Sequence, residues 1–364
     1  MRWLIWASFF PPHVGGYERN VFELAKRLVS EGHIVRVVTC NVNGASQEEV
    51  MEGVSVTRLP CWKLMNGLYP IPKPSHELRR ILKSKPDIEN TQTRFFLLSL
   101  LGALHAWWKH IPMIHTERGT RHTVLSNRIV DLISRFYDHV IGKWVVRRGQ
   151  SVGVSDAACE FLKHIGAVTP ITIPNGIVNT GCSQKIETLE PIILFVGRLI
   201  WAKGVQDLIS AVKDIGRPYR LEIVGDGPYR SQLEKVAKGN CRIAFLGTVD
   251  NDKLGGIHSR ATMFVNPSYS EGLPTCVMES TTFGTPTIAT DVGGTREIIE
   301  HGVTGLLVKP HDVKDLTKSI QWVLDNRESA KGMATRAQLY TRTHYSWDKV
   351  VEDYIDLAKG ICGN

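Results

Sequence analysis

The sequence predicts an α/β protein made of two doubly wound, Rossmann-like domains. Its 364 residues exceed the usual size of a single domain, so two domains are the natural expectation. Short apolar runs alternate with segments of helical spacing along most of the chain, and this order is typical of parallel strands joined by helices. A hydrophobic fraction of 43% and a charged fraction of 22% are ordinary for a soluble globular protein.

The N-terminal half opens with a strand, a loop, a helix and a second strand. Trp3–Ala7 is predicted as the first buried strand, and Pro11–Gly16 as a loop with two prolines and two glycines. Apolar residues at helical spacing follow, the helix is expected to end near Gly32, and His33–Thr39 is the next predicted strand. Such a unit calls for a parallel sheet with a right-handed crossover. Prolines scattered over residues 59–87 predict loop and a short helix there.

The C-terminal half, from Pro191 onward, alternates more regularly and predicts a second doubly wound domain. Its predicted strands are Ile192–Val196, Leu221–Val224, Ile243–Leu246, Met263–Val265 and Thr287–Ala289. We expect the two domains to face each other across a cleft, with ligands bound beyond the carboxyl ends of the strands.

The domain boundaries follow from composition. We place an N-terminal domain at residues 1–176, a C-terminal domain at 177–342 and a last helix at 343–364 that packs back on the N-terminal domain. The stretch Pro174–Glu190 has few large apolar residues and is the expected linker. A polar break at Thr341–Thr343 is expected to separate the last helix from what precedes it.

The cysteines and the length of the apolar runs indicate in which cellular compartment the protein is expected. The seven cysteines are odd in number, scattered and without a CxxC pair, which favours a reducing compartment over a disulfide framework or a zinc ribbon. The longest apolar run, Phe95–Trp108, is too short for a membrane span and is expected to be a core helix. The short apolar start of the chain is interpreted as a buried strand, with a signal peptide as the alternative.

The positive charge is concentrated in the N-terminal half. Residues 62–148 carry 15 basic and 6 acidic side chains, a net charge of +9, interleaved with Trp107, Trp108 and Trp144. A merely solvated basic surface is one interpretation. The clustering with aromatic residues favours an anionic partner, which is a membrane surface, a lipid-phosphate acceptor or nucleic acid.

Two pairs of charged residues in the C-terminal half point to chemistry. Glu271 and Glu279 lie eight positions apart with a loop-to-helix turn predicted between them, and Arg198 and Lys203 follow an apolar strand. Carboxylates accept hydrogen bonds from sugar hydroxyls, and cations stabilise a diphosphate on which negative charge grows. Each residue alone would suit a solvated loop or helix end. Together they predict a nucleotide-sugar site.

Pro274 is predicted to stand in the first turn of the helix between the two glutamates, because its missing N–H would be unpaired there. The free N–H groups and the positive dipole end of such a helix can bind a phosphate. Glu271 would then lie in the loop before the helix, near the sugar, while Glu279 could hold the ribose diol.

Taken together, these segments resemble family 4 of the retaining glycosyltransferases, which has the GT-B fold and includes glycogen-synthase-like, sucrose-synthase-like and phosphatidylinositol mannosyltransferase-like enzymes. The resemblance covers nearly the whole chain and is sharpest from Pro191 to Val308. The segments that carry it are Arg198 with Lys203, Glu271-x7-Glu279, the loop Pro11–Gly16 and Pro174-Asn175-Gly176.

The resemblance implies a nucleotide-sugar donor held by the C-terminal domain and an acceptor held by the N-terminal one. Arg198 and Lys203 would contact the donor diphosphate, Glu279 the ribose and Glu271 the transferred sugar, and His115 would lie after an apolar strand near that sugar. The implied catalytic residues are Glu271, His115, Arg198 and Lys203. The implied donor-binding residues are Gly15, Gly16, Gly197, Arg198, Lys203, Val249, Glu271, Gly272, Leu273, Pro274, Thr275 and Glu279.

The sequence departs from the family pattern after the first glutamate. The family commonly has Gly-Phe-Gly there, whereas this chain has Gly272-Leu273-Pro274. Since proline has no backbone N–H, the phosphate contact implied at that position is in question.

The expected function is a hexosyl transfer that keeps the anomeric configuration and needs no metal or other cofactor. The expected partners are a UDP-sugar or GDP-mannose, a lipid- or polyprenyl-linked glycan acceptor and an anionic membrane surface, but no nucleic acid. The expected location is cytoplasmic, on the inner face of the cell membrane. The alternatives are a sugar-nucleotide epimerase or a catalytically silent binding protein of the same fold. A nicotinamide dehydrogenase is disfavoured because no glycine-rich fingerprint opens the first helix.

Overall fold

The computed structural model describes residues 1–13, 15–64, 69–122, 128–178, 186 and 188–363. The chain forms two compact units. The N-terminal unit comprises Met1–Gly176 together with Trp347–Asn364, and the C-terminal unit comprises Ile177–Ser346. Each unit is built on a largely parallel sheet with helical connections, so the predicted α/β class with two doubly wound, Rossmann-like domains is confirmed.

The N-terminal unit contains strands and helices that alternate through most of its length. The described strands are β1 (Arg2–Trp6), β2 (Ile34–Cys40), β3 (Glu48–Met51), β4 (Val54–Leu59), β5 (Cys61–Leu64), β6 (Tyr69–Pro72), β7 (Ile88–Gln92), β8 (Met113–Glu117), β9 (Gln150–Gly153) and β10 (Ile171–Thr172). The described helices are α1 (Gly16–Ser30), α2 (His76–Lys83), α3 (Leu97–Lys109), α4 (Arg128–Tyr137), a π-helical turn (Asp138–Gly142), α5 (Lys143–Val146) and α6 (Asp156–Ile165).

The main sheet of this unit has the described strand order β10, β9, β8, β7, β1, β2, β4, β3. All pairings in it are parallel except that of β3 with β4. The chain starts at β1, adds β2 and β4 on one side and β7 to β10 on the other. The order therefore reverses between β1 and β7, which is where doubly wound sheets bind ligands.

The C-terminal unit repeats this plan with a different set of elements. Its described strands are β11 (Ile192–Val196), β12 (Arg220–Val224), β13 (Ile243–Gly247), β14 (Met263–Asn266), β15 (Thr287–Thr290) and β16 (Leu306–Val308). Its described helices are α7 (Val205–Lys213), α8 (Arg230–Ala237), α9 (Asn251–Arg260), α10 (Thr275–Thr282), α11 (Thr295–Ile298), α12 (Val313–Asp325) and α13 (Arg327–His344).

The C-terminal sheet is parallel throughout its described strands, in the order β13, β12, β11, β14, β15, β16. The inner strand β11 is wholly apolar, and β11, β12 and the adjacent face of α7 share one core of apolar side chains. The order reverses between β11 and β14. The loops that follow these two strands are therefore neighbours at the carboxyl edge of the sheet.

The last helix, α14 (Trp347–Cys362), belongs to the N-terminal unit. The hydroxyl of Tyr354 lies 3.0 Å from Thr116 Oγ1 at the buried end of β8, and the Arg27 guanidinium stacks 4.8 Å from the ring centre of Trp347. A Cβ on Gly176 would lie 2.3 Å from that indole ring, so glycine is required for the approach of the helix.

Three expectations about the elements need correction or restriction. The proline-rich residues 59–87 contain the antiparallel pair β5 and β6 as well as α2, because Pro70 and Pro72 lie in a strand of a two-stranded sheet where proline is tolerated. The expected break at Thr341–Thr343 lies inside α13, where the buried Thr341 hydroxyl bonds to Thr281. The expected linker Pro174–Glu190 falls partly outside the described residues.

No described helix combines the length and the apolar character that crossing a membrane requires. Most of the apolar run Phe95–Trp108 lies in α3, and one face of this helix, with Leu98, Gly102 and Ala106, is buried. Its last turn carries Trp107 and Trp108 with 55% and 73% of their surfaces exposed.

Candidate functional site

The switch point of the C-terminal sheet brings Lys203 and Glu271 together. The two residues are 68 positions apart in sequence, yet Lys203 Nζ donates a hydrogen bond of 2.6 Å to Glu271 Oε1. Lys203 ends the loop after β11 and Glu271 lies in the loop after β14, so their contact follows from the adjacency of these strands. Both side chains are largely buried, with 21% and 9% of their surfaces exposed.

The electrostatics of this pair favour two charged groups. Burial alone would lower the pKa of Lys203, but the Glu271 carboxylate outweighs burial and raises that pKa above its ordinary value. Asn266 Nδ2, at the end of β14, donates a further hydrogen bond of 3.3 Å to Glu271 Oε1. Lys203 and Glu271 therefore form a fixed cation and carboxylate at the carboxyl edge of the sheet.

The loop that carries Lys203 is held by close backbone contact. Gly204 has φ +65°, and a Cβ on it would lie 2.0 Å from the Pro267 carbonyl oxygen, so only glycine fits there. The Tyr269 N–H donates to the Ala202 carbonyl at 2.8 Å. These contacts join the loops after β11 and β14 directly.

An aromatic cluster that we did not predict flanks the same loop. The rings of Tyr269 and His311 stack with centres 3.7 Å apart, and Trp201 packs 4.8 Å from Tyr269. Gln206 Nε2 donates to the Tyr269 hydroxyl at 2.8 Å. Nothing in the local sequence connects these residues, because they come from three separate loops and one helix.

Helix α10 begins one residue later than predicted. Pro274 is its N-cap, with an extended backbone, and its carbonyl accepts the N–H groups of Val277 and Met278. The first helical N–H groups are therefore those of Thr275 and Cys276, and Pro274 itself offers no N–H to a ligand. Glu279 is half-buried in this helix, about 6 Å along the axis from Thr275 at 1.5 Å per residue.

Residues around the start of α10 are anchored to the rest of the unit. The Gly272 carbonyl accepts a hydrogen bond of 2.8 Å from the Gly294 N–H, and Leu273 is buried. Cys276, which we did not predict as a site residue, lies beside the ion pair. Burial raises the pKa of its thiol to about 12, with Glu271 and Glu279 adding to the effect and Lys203 opposing it.

Other predicted donor-binding residues lie along the same edge of the C-terminal sheet. Gly197 follows β11 and bonds through its N–H to the Val224 carbonyl, and Val249 follows β13. Arg198 is exposed, and among the described residues its guanidinium pairs with no carboxylate. The structure therefore joins Lys203 to Glu271 and leaves Arg198 available to a ligand.

In the N-terminal unit, His115 is not placed as predicted. It is the third residue of β8 and fully buried, whereas we expected it in a loop after a strand. The strand continues past Ile114 because parallel strands with elements on both faces accept buried side chains on both sides. Thr91 Oγ1 lies 2.9 Å from His115 Nδ1, and Nε2 lies 3.6 Å from Glu117 Oε2.

A buried network of charges surrounds the end of β8. The Arg94 guanidinium contacts Glu117 at 2.9 Å and Asp138 at 2.9 Å, and these three side chains are at most 2% exposed. Burial would raise the pKa of Glu117, but the charge of Arg94 and the neighbouring His115 hold it well below its usual range. No periodic pattern in the sequence predicts this network, because its members come from the loop after β7, from β8 and from the π-helical turn.

The glycine loop lies at the switch point of the N-terminal sheet. Gly15 is the N-cap of α1 and Gly16 its first residue. A Cβ on Gly15 would lie 2.3 Å from Glu18 Oε2, and the other carboxylate oxygen of Glu18 is 2.7 Å from His13 Nδ1. The glycine therefore makes room for a carboxylate in the first turn of α1.

Arg118 is a further half-buried cation that we did not predict. Its Nε donates a hydrogen bond of 3.2 Å to Gln92 Oε1, and another nitrogen contacts the Asn175 side chain. Burial lowers the pKa of Arg118. Asn175 belongs to the Pro174-Asn175-Gly176 motif that carries part of the family resemblance, and it contacts Arg118 just after β8.

Comparison with known proteins identifies the family. The protein family described as "Glycosyltransferase Family 4" matches residues 14–179, and the family described as "Glycosyl transferases group 1" matches residues 183–340. An uncharacterized glycosyltransferase of Methanocaldococcus jannaschii is 30% identical over 96% of this chain and 96% of its own length. The chain belongs to the family 4, group 1 glycosyltransferases, and it is an enzyme of the hexosyltransferase class.

Other relatives and solved structures agree with this family and fold. A GDP-mannose-dependent alpha-(1-6)-phosphatidylinositol monomannoside mannosyltransferase of Mycobacterium tuberculosis is 26% identical over 99% of this chain and 98% of its own. The sucrose-phosphate synthase of Thermosynechococcus elongatus superposes with a TM-score of 0.81 at 20% identity, covering 99% of this chain and 98% of that one. HepE of Anabaena in complex with UDP-glucose has a TM-score of 0.78 at 17% identity, covering 99% of this chain and 100% of that one. The fold is therefore GT-B.

Proposed function

We propose that this enzyme is a retaining glycosyltransferase that moves a hexose from a UDP-sugar or GDP-mannose to a lipid- or polyprenyl-linked glycan, without a metal. The observation that carries the donor assignment is the Lys203–Glu271 pair at the switch point of the C-terminal sheet. A fixed cation suits the diphosphate, and a fixed carboxylate beside it suits the hydroxyls of the transferred sugar.

The start of α10 supports the same assignment. Its first N–H groups and positive dipole end lie at the edge of the sheet that carries Lys203, and they offer an anion-binding site. Glu279 lies far enough along the helix to hold the ribose hydroxyls while Glu271 holds the sugar. Arg198, exposed and without a carboxylate partner among the described residues, would add a second cation to the diphosphate.

The proposed reaction needs only groups of this chain and its two substrates. The bond between the anomeric carbon and the diphosphate oxygen breaks, and the acceptor hydroxyl attacks that carbon from the same face. The departing phosphate oxygen takes the acceptor proton, so charge develops on the diphosphate where Lys203, Arg198 and the start of α10 stabilise it. His115 is proposed to contact the transferred sugar on the strength of the family resemblance; its Nε2 lies 3.6 Å from Glu117 Oε2.

Relatives support both donor classes. The Mycobacterium tuberculosis relative is named for GDP-mannose, and HepE binds UDP-glucose. A panel of UDP-sugars and GDP-mannose, tested for thermal stabilisation and slow donor hydrolysis, separates the two. Stabilisation by one of them, followed by sugar transfer with retained configuration to a lipid-linked acceptor, is expected. A donor that is isomerised without acceptor would instead identify an epimerase, and binding with neither reaction a silent protein.

The surface of the N-terminal unit supports a membrane-bound acceptor. Arg148 stacks on the rings of Trp107 and Trp144, and the ammonium group of Lys109 lies 5.6 Å from the ring centre of Trp108. Aromatic rings beside cations are typical of the headgroup region of an anionic bilayer, and each cation contributes about 1 kcal/mol there.

A second apolar feature lies on α4 and the π-helical turn that continues it. Leu132, Phe136 and Val140 follow one another at intervals of four and are 69%, 70% and 52% exposed. Side chains at this spacing share a face of a helix. Exposed Arg135 and Lys143 flank them, which is the pattern of a helix that lies in a membrane interface.

Vesicle co-sedimentation tests this part of the proposal. The protein is expected to pellet with vesicles that contain phosphatidylserine and to be released as the salt concentration rises. Equal recovery in the supernatant with neutral and anionic vesicles at low salt would exclude the membrane surface. That outcome would leave the donor assignment untouched.

A further inference from the structure

Three histidines that the proposed transfer does not use converge in the N-terminal unit. His122 follows β8, His139 lies in the π-helical turn and His164 lies in the last turn of α6. Their ring centres are 5.3, 5.6 and 5.8 Å apart in the three pairs. One ring nitrogen of each lies within 4.8 Å of those of the other two.

A carboxylate orients one of these rings. Asp138 Oδ2 is 2.7 Å from His122 Nδ1, so Nδ1 of this histidine carries the hydrogen and Nε2 keeps the lone pair. A carboxylate that holds the second nitrogen of a histidine is a recurrent feature of zinc sites, where it fixes the tautomer and raises the basicity of the ligand. The edge of the Phe161 ring also packs against His122, with centres 5.2 Å apart.

The local charge suits a cation. Asp138 and Glu117 share the guanidinium of Arg94, and Glu117 also interacts with Arg118 and His115. Asp138 contacts both Arg94 and His122, so a negative charge lies beside the His122 ring. A divalent ion bound to the rings would be drawn to this charge.

From these observations we infer that His122, His139 and His164 form a binding site for a divalent transition metal of the zinc class. Imidazole nitrogens are preferred ligands of zinc, and three histidines with an open fourth position are a known coordination set. A bound ion would join α6 to the π-helical turn and to the segment after β8. This site shares no residue with the predicted catalytic and donor-binding sets.

Only small side-chain movements are needed to form the site. Tetrahedral bonds of 2.0–2.1 Å place two nitrogen ligands about 3.3 Å apart, so nitrogens now within 4.8 Å need to close by about 1.5 Å. His139 and His164 are exposed, whereas His122 is held by Asp138 and the His164 ring stacks on Phe161 with centres 6.2 Å apart. The π-helical turn that carries His139 also supports a metal site, because such turns are frequent at functional sites.

The test is a zinc titration of the full chain without a histidine tag, in competition with a chromophoric chelator. We expect one zinc ion per chain in the wild type. His139→Ala and His164→Ala should each lower the affinity at least about tenfold, since loss of a supporting group alone costs that much. Both positions are exposed, so neither change opens a cavity in the core. His76→Ala, an exposed histidine on α2, is the matched control and should bind as the wild type does.

Cobalt provides a second readout that does not depend on affinity. Co²⁺ in the wild type and in His76→Ala should give the intense visible absorption of a tetrahedral site, and His164→Ala should lack it. Wild-type zinc affinity in either single variant would overturn the three-histidine assignment. Failure of the wild type to take up one equivalent of zinc would overturn the site altogether.

Discussion

At the scale of single residues, the buried contact between Lys203 and Glu271 is the centre of the proposed donor site. Lys203 pairs with Glu271, whereas Glu279 lies on α10. Lys203 and Glu279 therefore have different structural roles, which can be separated by experiment. Lys203 balances a mostly buried carboxylate as well as offering a charge to a ligand. Glu279 is half-buried and lies on one short helix.

Lys203→Ala and Glu279→Ala should each weaken donor binding about tenfold or more and nearly abolish transfer, because a charge-assisted hydrogen bond contributes about 1.5–3 kcal/mol. Lys203→Ala should also lower the melting temperature, since it leaves Glu271 without its cation. Calorimetry with the nucleotide sugar and thermal melts measure both effects. Lys213→Ala, at the exposed end of α7, is the control. Wild-type turnover in either variant would remove the donor assignment.

The Arg94 network predicts a pH-dependent stability. The folded-state pKa of Glu117 is lowered, so its contribution is present above the unfolded pKa of about 4.3 and is lost as pH falls toward the folded value. Glu117→Gln should therefore cost about 3 kcal/mol at pH 7, and its difference from the wild type should shrink below about pH 4.

Urea unfolding from pH 7 to pH 3 measures this difference, with the exposed Glu31→Gln as control. A Glu117→Gln protein as stable as the wild type at pH 7 would contradict a buried ion pair. A difference that stays constant down to pH 3 would contradict the lowered pKa.

At the scale of elements, α4 with its exposed apolar face is the segment that distinguishes membrane attachment from a merely basic surface. Leu132→Ser combined with Phe136→Ser should lower binding to anionic vesicles at least about tenfold, because transfer of each side chain out of water contributes up to about 1.5–3 kcal/mol. Leu339→Ser, which is 71% exposed on α13, is the matched control and should leave binding unchanged. Equal loss in the control variant would assign the effect to general hydrophobicity.

At the scale of the whole molecule, the proposed transfer relies on side chains of the C-terminal unit in place of a metal at the diphosphate. Transfer should therefore survive dialysis against EDTA, since Lys203, Arg198 and the start of α10 supply the positive charge. EDTA should still remove an ion from the histidine site and lower the melting temperature, because an ion that binds only the folded chain stabilises it. Activity that is lost and then restored by magnesium or manganese alone would contradict a metal-independent transfer.

The alternation of apolar strands and helices was enough to predict the fold class from the sequence. β11, β12 and β14 lie within a residue or two of their predicted bounds because buried parallel strands are continuous apolar runs between turn residues. The antiparallel pair β5 and β6 within residues 59–87 was not predicted, because prolines lower the strand propensity of a segment that can still form an edge strand.

Periodicity and turn residues are local properties of a chain, and they were enough to predict two doubly wound units and the charged residues that follow their strands. Three features became visible only in the folded chain: Lys203 meets Glu271 across 68 residues, His115 lies inside β8, and three distant histidines converge. These features depend on strand order and on the approach of separate loops. Spacing along a chain determines which face of an element a side chain lies on, whereas its neighbours on that face depend on packing between elements far apart in sequence.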